Sequence, residues 1–418
     1  MSKYNENTIY YVWLQQALGY GSPKFRTVLK FYNDAKEFYN IDFNSKKMLG
    51  CFTNSELANI EDTSLEKAEE ILKDCEKLGY DVIIFGDDNY PKTLSEIYDP
   101  PIVLYSKGTL PNVDEILSIA IVGTRSASRQ GVRTAFTFGF ELAKAGAIVV
   151  SGGALGVDCA AHRGVLQAQG VTVCVLGCGI DYNYLSSNAQ MRNLITENGA
   201  VISEYPPKTP PIGRNFPMRN RIISGLSRGL IVIEAGEKSG SLITAKLALE
   251  HNRDVFSVPG EITNTYKSGT NALIKQGAKI TTNISDVLDE YEGIYSAYSA
   301  DTTINEDYEK EIEQVPVTVK NSASTRKKSV NKSSKNTIKK EQTPNNLEQV
   351  KSSNKTVQLP VDISDDARKI YDVLSEMPVH TDEITIKSDL TTREVLTALT
   401  ELELFGLIKS YSGRRFSK

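Results

Sequence analysis

Ala147-Ile148-Val149-Val150-Ser151-Gly152-Gly153-Ala154-Leu155-Gly156-Val157-Asp158 is an apolar run that ends in small residues and then opens a helical pattern. A continuous apolar run of this length reads as a strand buried on both faces. The glycines behind it suit a tight turn into a helix over 157–169. The same order of features repeats on both sides. Strands are expected at Ile119–Val122, Ala147–Val150, Thr172–Leu176, Ala200–Ser203, Leu230–Ile233 and Val255–Val258. Helices are expected near 131–145, 188–198, 218–226 and 241–251. Such alternation requires parallel pairing with helices on both faces. The expectation is an α/β fold built on a doubly wound, mainly parallel sheet, with its ligand at the C-terminal ends of the strands.

Three further stretches flank this core, which is assigned to residues 79–292. Residues 1–78 read as a small helical domain. Trp13, Leu14 and Leu18 recur near helical spacing, and Gly19-Tyr20-Gly21 breaks the pattern. Ser22-Pro23 reads as N-cap and first residue of the next helix, with Phe25, Val28, Leu29 and Tyr32 on its apolar face. Residues 293–358 change composition. From 321 to 356 there are nine Lys/Arg against two Glu and no aromatic residue, which reads as a disordered charged linker. Residues 359–418 read as a winged helix. Ser364 caps a helix through about Glu376, and Thr391 or Thr392 starts another that carries Val395, Leu396, Leu399 and Leu402, with Gly406 at its end. Leu407–Tyr411, Ser412-Gly413 and Arg414–Phe416 then read as strand, turn and strand.

Composition excludes several function classes. The 418 residues carry 48 Lys/Arg and 52 Asp/Glu, a formal charge of −4, so the chain is not a polybasic coat for nucleic acid. Local patches can still bind phosphate. His162, His251 and His380 are too scattered for a three-histidine metal site. Cys51, Cys75, Cys159, Cys174 and Cys178 contain no C-x-x-C pair, and their odd number reads as cytosolic thiols. No metal or cofactor is expected. No apolar run approaches ~18 residues, so no membrane segment is expected. The polar N-terminus, Met1–Asn7, lacks the apolar region of a secretion signal, and a cytoplasmic location is expected.

Four loops at the strand ends carry the candidate binding residues. Gly123-Thr124-Arg125-Ser126 follows the first core strand, with Arg129 and Arg133 behind it. Glycine lets backbone amides approach an anion, and arginine adds a bidentate phosphate partner. The alternative is an ordinary turn with a surface arginine. Ser151, Gly152 and Gly153 suit a phosphate cradle at a helix N-terminus. The adjacent glycines do not form G-x-G-x-x-G, which argues against a dinucleotide site. Asp158 reads as a turn residue, with no basic partner nearby in sequence. Phe216 beside Arg219, Asn220 and Arg221 suits unpaired nucleic acid, where bases stack on a ring and arginines hold the backbone. The alternative is a buried Phe216 with arginines that cap a helix. Lys238-Ser239 fails as a Walker A tail, because Glu237 and Val232 stand where glycines are needed. Ser239, Gly240 and Ser241 still make an anion-binding helix start. No Ser–His–Asp or Cys–His arrangement is visible, so no catalytic residue is assigned.

The ordered set as a whole resembles the DNA-processing protein A family (DprA, also called Smf). It comprises Ile121–Arg125, Ser151–Ala154 with Gly156-Val157-Asp158, Ser203-Glu204-Tyr205-Pro206 and Phe216-Pro217 with Arg219–Ile223. Glu234-Ala235, Ser239–Leu242 with Thr244-Ala245, and Val258-Pro259-Gly260 continue it. Asn89-Tyr90-Pro91 and Asp99-Pro100-Pro101 are similar to that family's lead-in. The resemblance implies a Rossmann-like core that binds single-stranded DNA, forms homodimers, protects incoming DNA in natural transformation and helps load the recombinase RecA. It implies DNA contacts at Gly123, Arg125, Ser151 to Gly153, Phe216, Arg219 and Arg221. The family often has Tyr-Pro after its Gly-x-Gly turn; here Gly177-Cys178-Gly179 is followed by Tyr184-Leu185. A competing expectation is a phosphoribohydrolase-type nucleotide-processing enzyme with Glu204 or Glu234 as its carboxylate. A third is a transcription regulator working through the winged helix, whose recognition helix carries Arg393 beside the acidic Glu394, Glu401 and Glu403.

Overall fold

The computed structural model describes residues 4–263, 267–295, 364–375, 377–388, 390–404, 407–411 and 415–418. They fall into two compact units, divided between Ala323 and Ser324.

The first unit opens with α1 (Thr8–Leu18), α2 (Phe25–Phe31), α3 (Ala35–Asn40), α4 (Phe43–Met48), α5 (Asn54–Glu61) and α6 (Glu66–Leu78). Then come β1 (Asp81–Ile84), α7 (Lys92–Ser95), β2 (Val103–Gly108) and β3 (Ser118–Val122). The alternating part follows: α8 (Arg129–Lys144), β4 (Ile148–Ser151), α9 (Val157–Gln167), β5 (Thr172–Leu176), α10 (Ala189–Asn198) and β6 (Ala200–Ser203). It continues with α11 (Asn215–Gly225), β7 (Gly229–Val232), α12 (Ser241–Glu250), β8 (Asp254–Ser257), α13 (Ser268–Lys275), β9 (Lys279–Ile280) and α14 (Ser285–Leu288).

The sheet order is β1-β2-β6-β5-β4-β3-β7-β8-β9. Pairings from β6 through β9 are parallel, whereas β2 is antiparallel to both β1 and β6. β3 lies between β4 and β7, so the winding direction reverses there. That reversal opens a crevice outside the carboxyl ends of the strands.

Period-two alternation fills both faces of the sheet. Ile119, Ile121, Val149, Cys174, Leu176 and Ile231 pack with Phe136 and Leu142 of α8 and Val165 of α9. Ala120, Val122, Val150, Val175, Leu230 and Val232 pack with Ile222 and Ile223 of α11 and Ala248 of α12. Each fully buried aliphatic side chain is worth about 1.5–3 kcal/mol, so these two layers hold the strand ends rigidly in register.

The N-terminal helices do not stand apart from the sheet. Trp13, Leu14, Phe25 and Phe38 share one core with Ile102, Val103 and Tyr105 around β2. The added strands explain this arrangement, because β1 and β2 extend the sheet beneath the helices. α2 also starts later than Ser22-Pro23 implies, with Lys24 at its N-cap.

In the second unit, helices Asp365–Val373, Thr381–Ser388 and Thr392–Leu404 pack on a small sheet of Val379–His380, Arg415–Ser417 and Lys409–Tyr411. Ile370, Leu374, Ile384, Val395, Leu399 and Leu402 form its core. Ser364 accepts from the Ala367 amide (3.2 Å) as the N-cap of the first helix. The expected helix end at Glu376, the Gly406 cap, the Ser412-Gly413 turn and the linker from residue 296 on lie outside the described residues. Among the described residues no helix is long and apolar enough to cross a membrane.

Candidate nucleic-acid interface

The loops after β3 and β4 lock into each other. A side chain on Gly123 would place its Cβ 2.5 Å from Val157 Cγ2, so only glycine fits where β3 crosses the start of α9. The Val157 amide donates to the Thr124 carbonyl (3.3 Å), and the Thr124 amide donates to the Glu234 carbonyl (2.8 Å). Gly156 makes this approach in the left-handed region, at φ +78°. The first amide of α9 therefore already has a partner. The Ser151–Gly153 turn, expected to cradle phosphate, lies just before this helix start. Ser151 is buried, and its Oγ donates to the Ile121 carbonyl (2.6 Å). Gly152 and Gly153 are buried as well, and the Gly153 carbonyl accepts from Asn188 Nδ2 (3.1 Å).

Gly152 leaves room for a buried charge pair. A Cβ there would lie 2.6 Å from Arg219 Nη2 and 2.7 Å from Asp158 Oδ2. Arg219 is only 4% exposed, and its Nη1 donates to the Gly152 carbonyl (2.8 Å) and to the Val175 carbonyl. Burial lowers the Arg219 pKa and raises that of Asp158, and each group opposes the shift of the other. The basic partner that Asp158 lacks in sequence arrives from α11.

α11 begins at Asn215, earlier than expected, so Phe216 and Pro217 occupy its first turn, where proline costs no helical hydrogen bond. Arg219 and Arg221 are two residues apart on this helix and point to different sides. Arg221 is 2% exposed. Its Nη2 pairs with Glu204 Oε1 (2.6 Å), and its Nε donates to the Asp99 carbonyl (2.8 Å). Glu204 Oε1 also accepts from the Gly21 amide (3.1 Å). Burial alone would lower the Arg221 pKa, but Glu204 and Asp99 outweigh it and the pKa is raised. The structure places both guanidiniums, expected at phosphates, in buried positions on internal acceptors.

Phe216 is half-buried and sits over Gly177, where a Cβ would lie 3.1 Å from its Cδ1. The Tyr184 ring lies 5.0 Å from the Phe216 ring, tilted by 40°. The exposed Arg125 places Cζ 5.5 Å from the Phe216 centroid, and the Arg219 Cζ lies 5.9 Å from it. Asn220 is half-buried, and its Oδ1 accepts from Arg219 Nε (3.3 Å).

On the other side of β3, the exposed Arg129 opens α8. The N-cap Ser128 donates from its amide to Glu234 Oε1 (3.0 Å) and from Oγ to Glu234 Oε2 (2.5 Å). Glu234 is thereby fixed against the helix start and fully buried. Ser239, Gly240 and Ser241 lead into α12, with the two hydroxyls 2.8 Å apart and Gly240 exposed. The structure thus gathers Arg125, Phe216 and Tyr184 at one side of the crevice. It places Arg129 and the 239–241 loop at the ends of β3 and β7, which are neighbouring strands.

Residues 81–292 match the family model described as DNA recombination-mediator protein A. This chain belongs to the DNA recombination-mediator protein A family. Residues 354–414 match the DprA winged helix domain. The DNA processing protein DprA of Streptococcus pneumoniae is 44% identical over 206 residues, which is 49% of this chain and 72% of that protein. The Bacillus subtilis protein of the same description is 40% identical over 224 residues, 54% of this chain and 75% of that protein. The X-ray structure of DNA processing protein A from Streptococcus pneumoniae matches with a TM-score of 0.61 and 35% identity, covering 68% of this chain and 98% of that one. The family match spans the whole strand-end crevice, Arg125 and Phe216 included.

Leu185 stands at φ +49°, in the left-handed region. A proline, fixed near −65°, could not adopt that turn. Sequence reasoning did not name Tyr184 as a site residue. The available signal was an aromatic residue in a polar loop directly after a strand-end glycine turn.

Proposed function

We propose that this chain is a non-catalytic recombination mediator that binds single-stranded DNA across the strand ends. The exposed Arg125 stacked over the half-buried Phe216 carries the reading. A cation and a ring together suit a phosphate followed by an unpaired base. In this reading Arg125, Arg129 and the Ser239–Gly240–Ser241 loop meet phosphates, and Phe216 meets a base. Gly123, Ser151, Gly152, Gly153, Arg219 and Asn220 set the shape of the loops, and Arg221 braces α11 from behind. The hydrolase alternative has less support, because Glu204 is spent on Arg221 and Gly21, and Glu234 on Ser128. A mediator delivers its strand to a recombinase, so we assign RecA as the partner that receives the DNA. We further assign a homodimer as the working form and the cytoplasm as its place of work, with incoming transforming DNA as one substrate. The test is polarisation binding of labelled oligo-dT to the full chain. Arg125→Ala with Phe216→Ala should weaken binding well over tenfold; unchanged affinity would remove this surface from the DNA path.

A further inference from the structure

We propose that Arg163 of α9 and Arg192 of α10 together form an anion site that takes one backbone phosphate of the bound strand. The inference rests on the single-stranded DNA reading above and adds a contact to it, outside the loops already named. Residues four apart share one face of a helix. On α9 such a pair is Cys159 and Arg163; on α10 it is the N-cap Asn188 and Arg192. The two faces meet, with Cys159 Sγ 3.4 Å from Asn188 Oδ1 and 3.5 Å from Met191 Sδ. The helices join β4 to β5 and β5 to β6, which are parallel, and both pack into one core, so they run the same way and Arg163 is brought opposite Arg192. Helical side chains lean toward the N-terminus. Arg192 Nη1 reaches back to the Leu185 carbonyl (3.5 Å). Burial raises the pKa of the Cys159 thiol, and Arg163 and Arg192 both oppose that rise, so both guanidiniums lie near this one sulfur. They gather at the end of the helices that faces the crevice.

Neither guanidinium forms an ion pair among the described residues. Arg192 is 7% exposed, and its one hydrogen bond among them is the long contact to Leu185. Arg163 is half-buried, and its Nε is buried without a partner. The other buried cations among the described residues are compensated. Arg219 faces Asp158, Arg221 pairs with Glu204 (2.6 Å) and Arg253 with Glu96 (3.5 Å). Lys46 donates to the Tyr39 carbonyl (2.7 Å) and lies against the rings of Trp13, Phe38 and Tyr39.

A buried charge is costly unless it is paired, and a like charge beside it adds repulsion. An arriving anion offsets both costs, and a chain breaks such a local rule where function requires it. A phosphate fits this pair, because its oxygens accept from two guanidinium forks at once. The place also fits the strand. Leu185, whose carbonyl Arg192 approaches, follows Tyr184, and the Tyr184 ring lies 5.0 Å from Phe216. Asn188, one turn before Arg192, donates from Nδ2 to the Gly153 carbonyl (3.1 Å), so the site adjoins the glycine loop of β4. Arg163 keeps part of its surface in solvent, which leaves a phosphate a way in. A strand with a base on Phe216 therefore reaches Arg163 and Arg192 by continuing across the 184–188 loop.

The test is binding of labelled oligo-dT to the full chain over a range of salt, with Arg163→Gln, Arg192→Met and the double variant. Methionine keeps the apolar stem and removes the charge. The double variant is expected to lose about ten- to hundredfold in affinity at low salt, the worth of a charged hydrogen-bonded contact. Its slope of log affinity against log salt should fall by ~0.7, the value for one phosphate. Thermal unfolding separates a binding role from a structural one. Arg192→Met should unfold at or above the wild-type midpoint in chloride, because the free chain loses an uncompensated charge. Inorganic phosphate at matched ionic strength should raise the wild-type midpoint more than that of Arg192→Met. Wild-type affinity and slope in the double variant, while Arg125→Ala weakens binding, would overturn the proposal and leave the DNA reading intact. A lowered midpoint for Arg192→Met with an unchanged response to phosphate would overturn it too, since the arginine would then only hold the fold. A lost phosphate response with unchanged oligo-dT binding would give the site to a free anion and overturn its place on the strand. Failure of the wild-type chain to bind oligo-dT would remove both readings. Arg163→Gln, at the half-buried position, carries the same binding test where Arg192→Met does not fold.

Discussion

Arg219 separates a structural arginine from a DNA contact most sharply. Arg219→Ala would remove the donor to two carbonyls, at Gly152 and Val175, and the charge facing Asp158. All three partners lie where water does not replace the lost group. Breaking a buried charge pair by deleting one member costs about 3–5 kcal/mol. For a unit of this size each kcal/mol moves the midpoint by roughly 2–4 °C, so a fall of about 6–20 °C is expected. Adding Asp158→Asn should return part of that loss, because the orphaned carboxylate becomes a neutral amide. The assay is thermal and urea unfolding of the single and double variants, with oligo-dT binding measured well below the new midpoint. A midpoint within 2 °C of wild type, together with a large loss of DNA affinity, would refute the buried assignment and return Arg219 to the DNA.

Other outcomes follow from the same geometry. Arg125→Ala and Arg129→Ala should each leave the unfolding midpoint nearly unchanged and reduce the slope of log affinity against log salt by ~0.7, the value per phosphate for single strands. Glu204→Ala should destabilise the chain by about 3–5 kcal/mol in urea unfolding, because Arg221 is then buried without its carboxylate. The two members of that pair are 2% and 1% exposed, so solvent offers little compensation. His162 is fully buried, and its pKa is pushed down to about 3 by burial, with Arg219 adding to the effect. Its unfolded value is ~6.5, so the unfolded chain binds the proton first and stability falls as pH drops from about 6.5 towards 3. The loss at pH 5 is about 2 kcal/mol by urea unfolding, and His162→Gln should remove that part of the slope.

The central parallel strands were legible because both faces are covered and the apolar runs are unbroken. β2 and β9 escaped for the opposite reason: β2 ends in Ser106-Lys107-Gly108 and β9 is only Lys279–Ile280, so neither carries that pattern, whereas the three apolar residues of β1 are too short a run to tell strand from helix. The loop glycines were legible, but the neighbours they make room for were not. A glycine that admits phosphate and one that admits a neighbouring loop look identical in sequence, and Gly123 makes room for Val157. Arg219 and Arg221 read as exposed cations because their acidic partners, Asp158 and Glu204, are remote in sequence and only the sheet brings them to α11. Phe216 and Arg125 were legible as a ring and a cation at strand ends. Their mutual stacking, and the place of Tyr184 beside them, depends on three separate loops.

The most direct test of the central claim is a salt titration of full-chain binding to a single-stranded oligo-dT and to a duplex of equal length. The account predicts clear preference for the single strand, with log affinity falling linearly as log salt rises. A residual salt-insensitive part should disappear with Phe216→Ala, because stacking releases no counterions. Equal affinity for duplex and single strand, or binding unaffected by Phe216→Ala at every salt concentration, would contradict it.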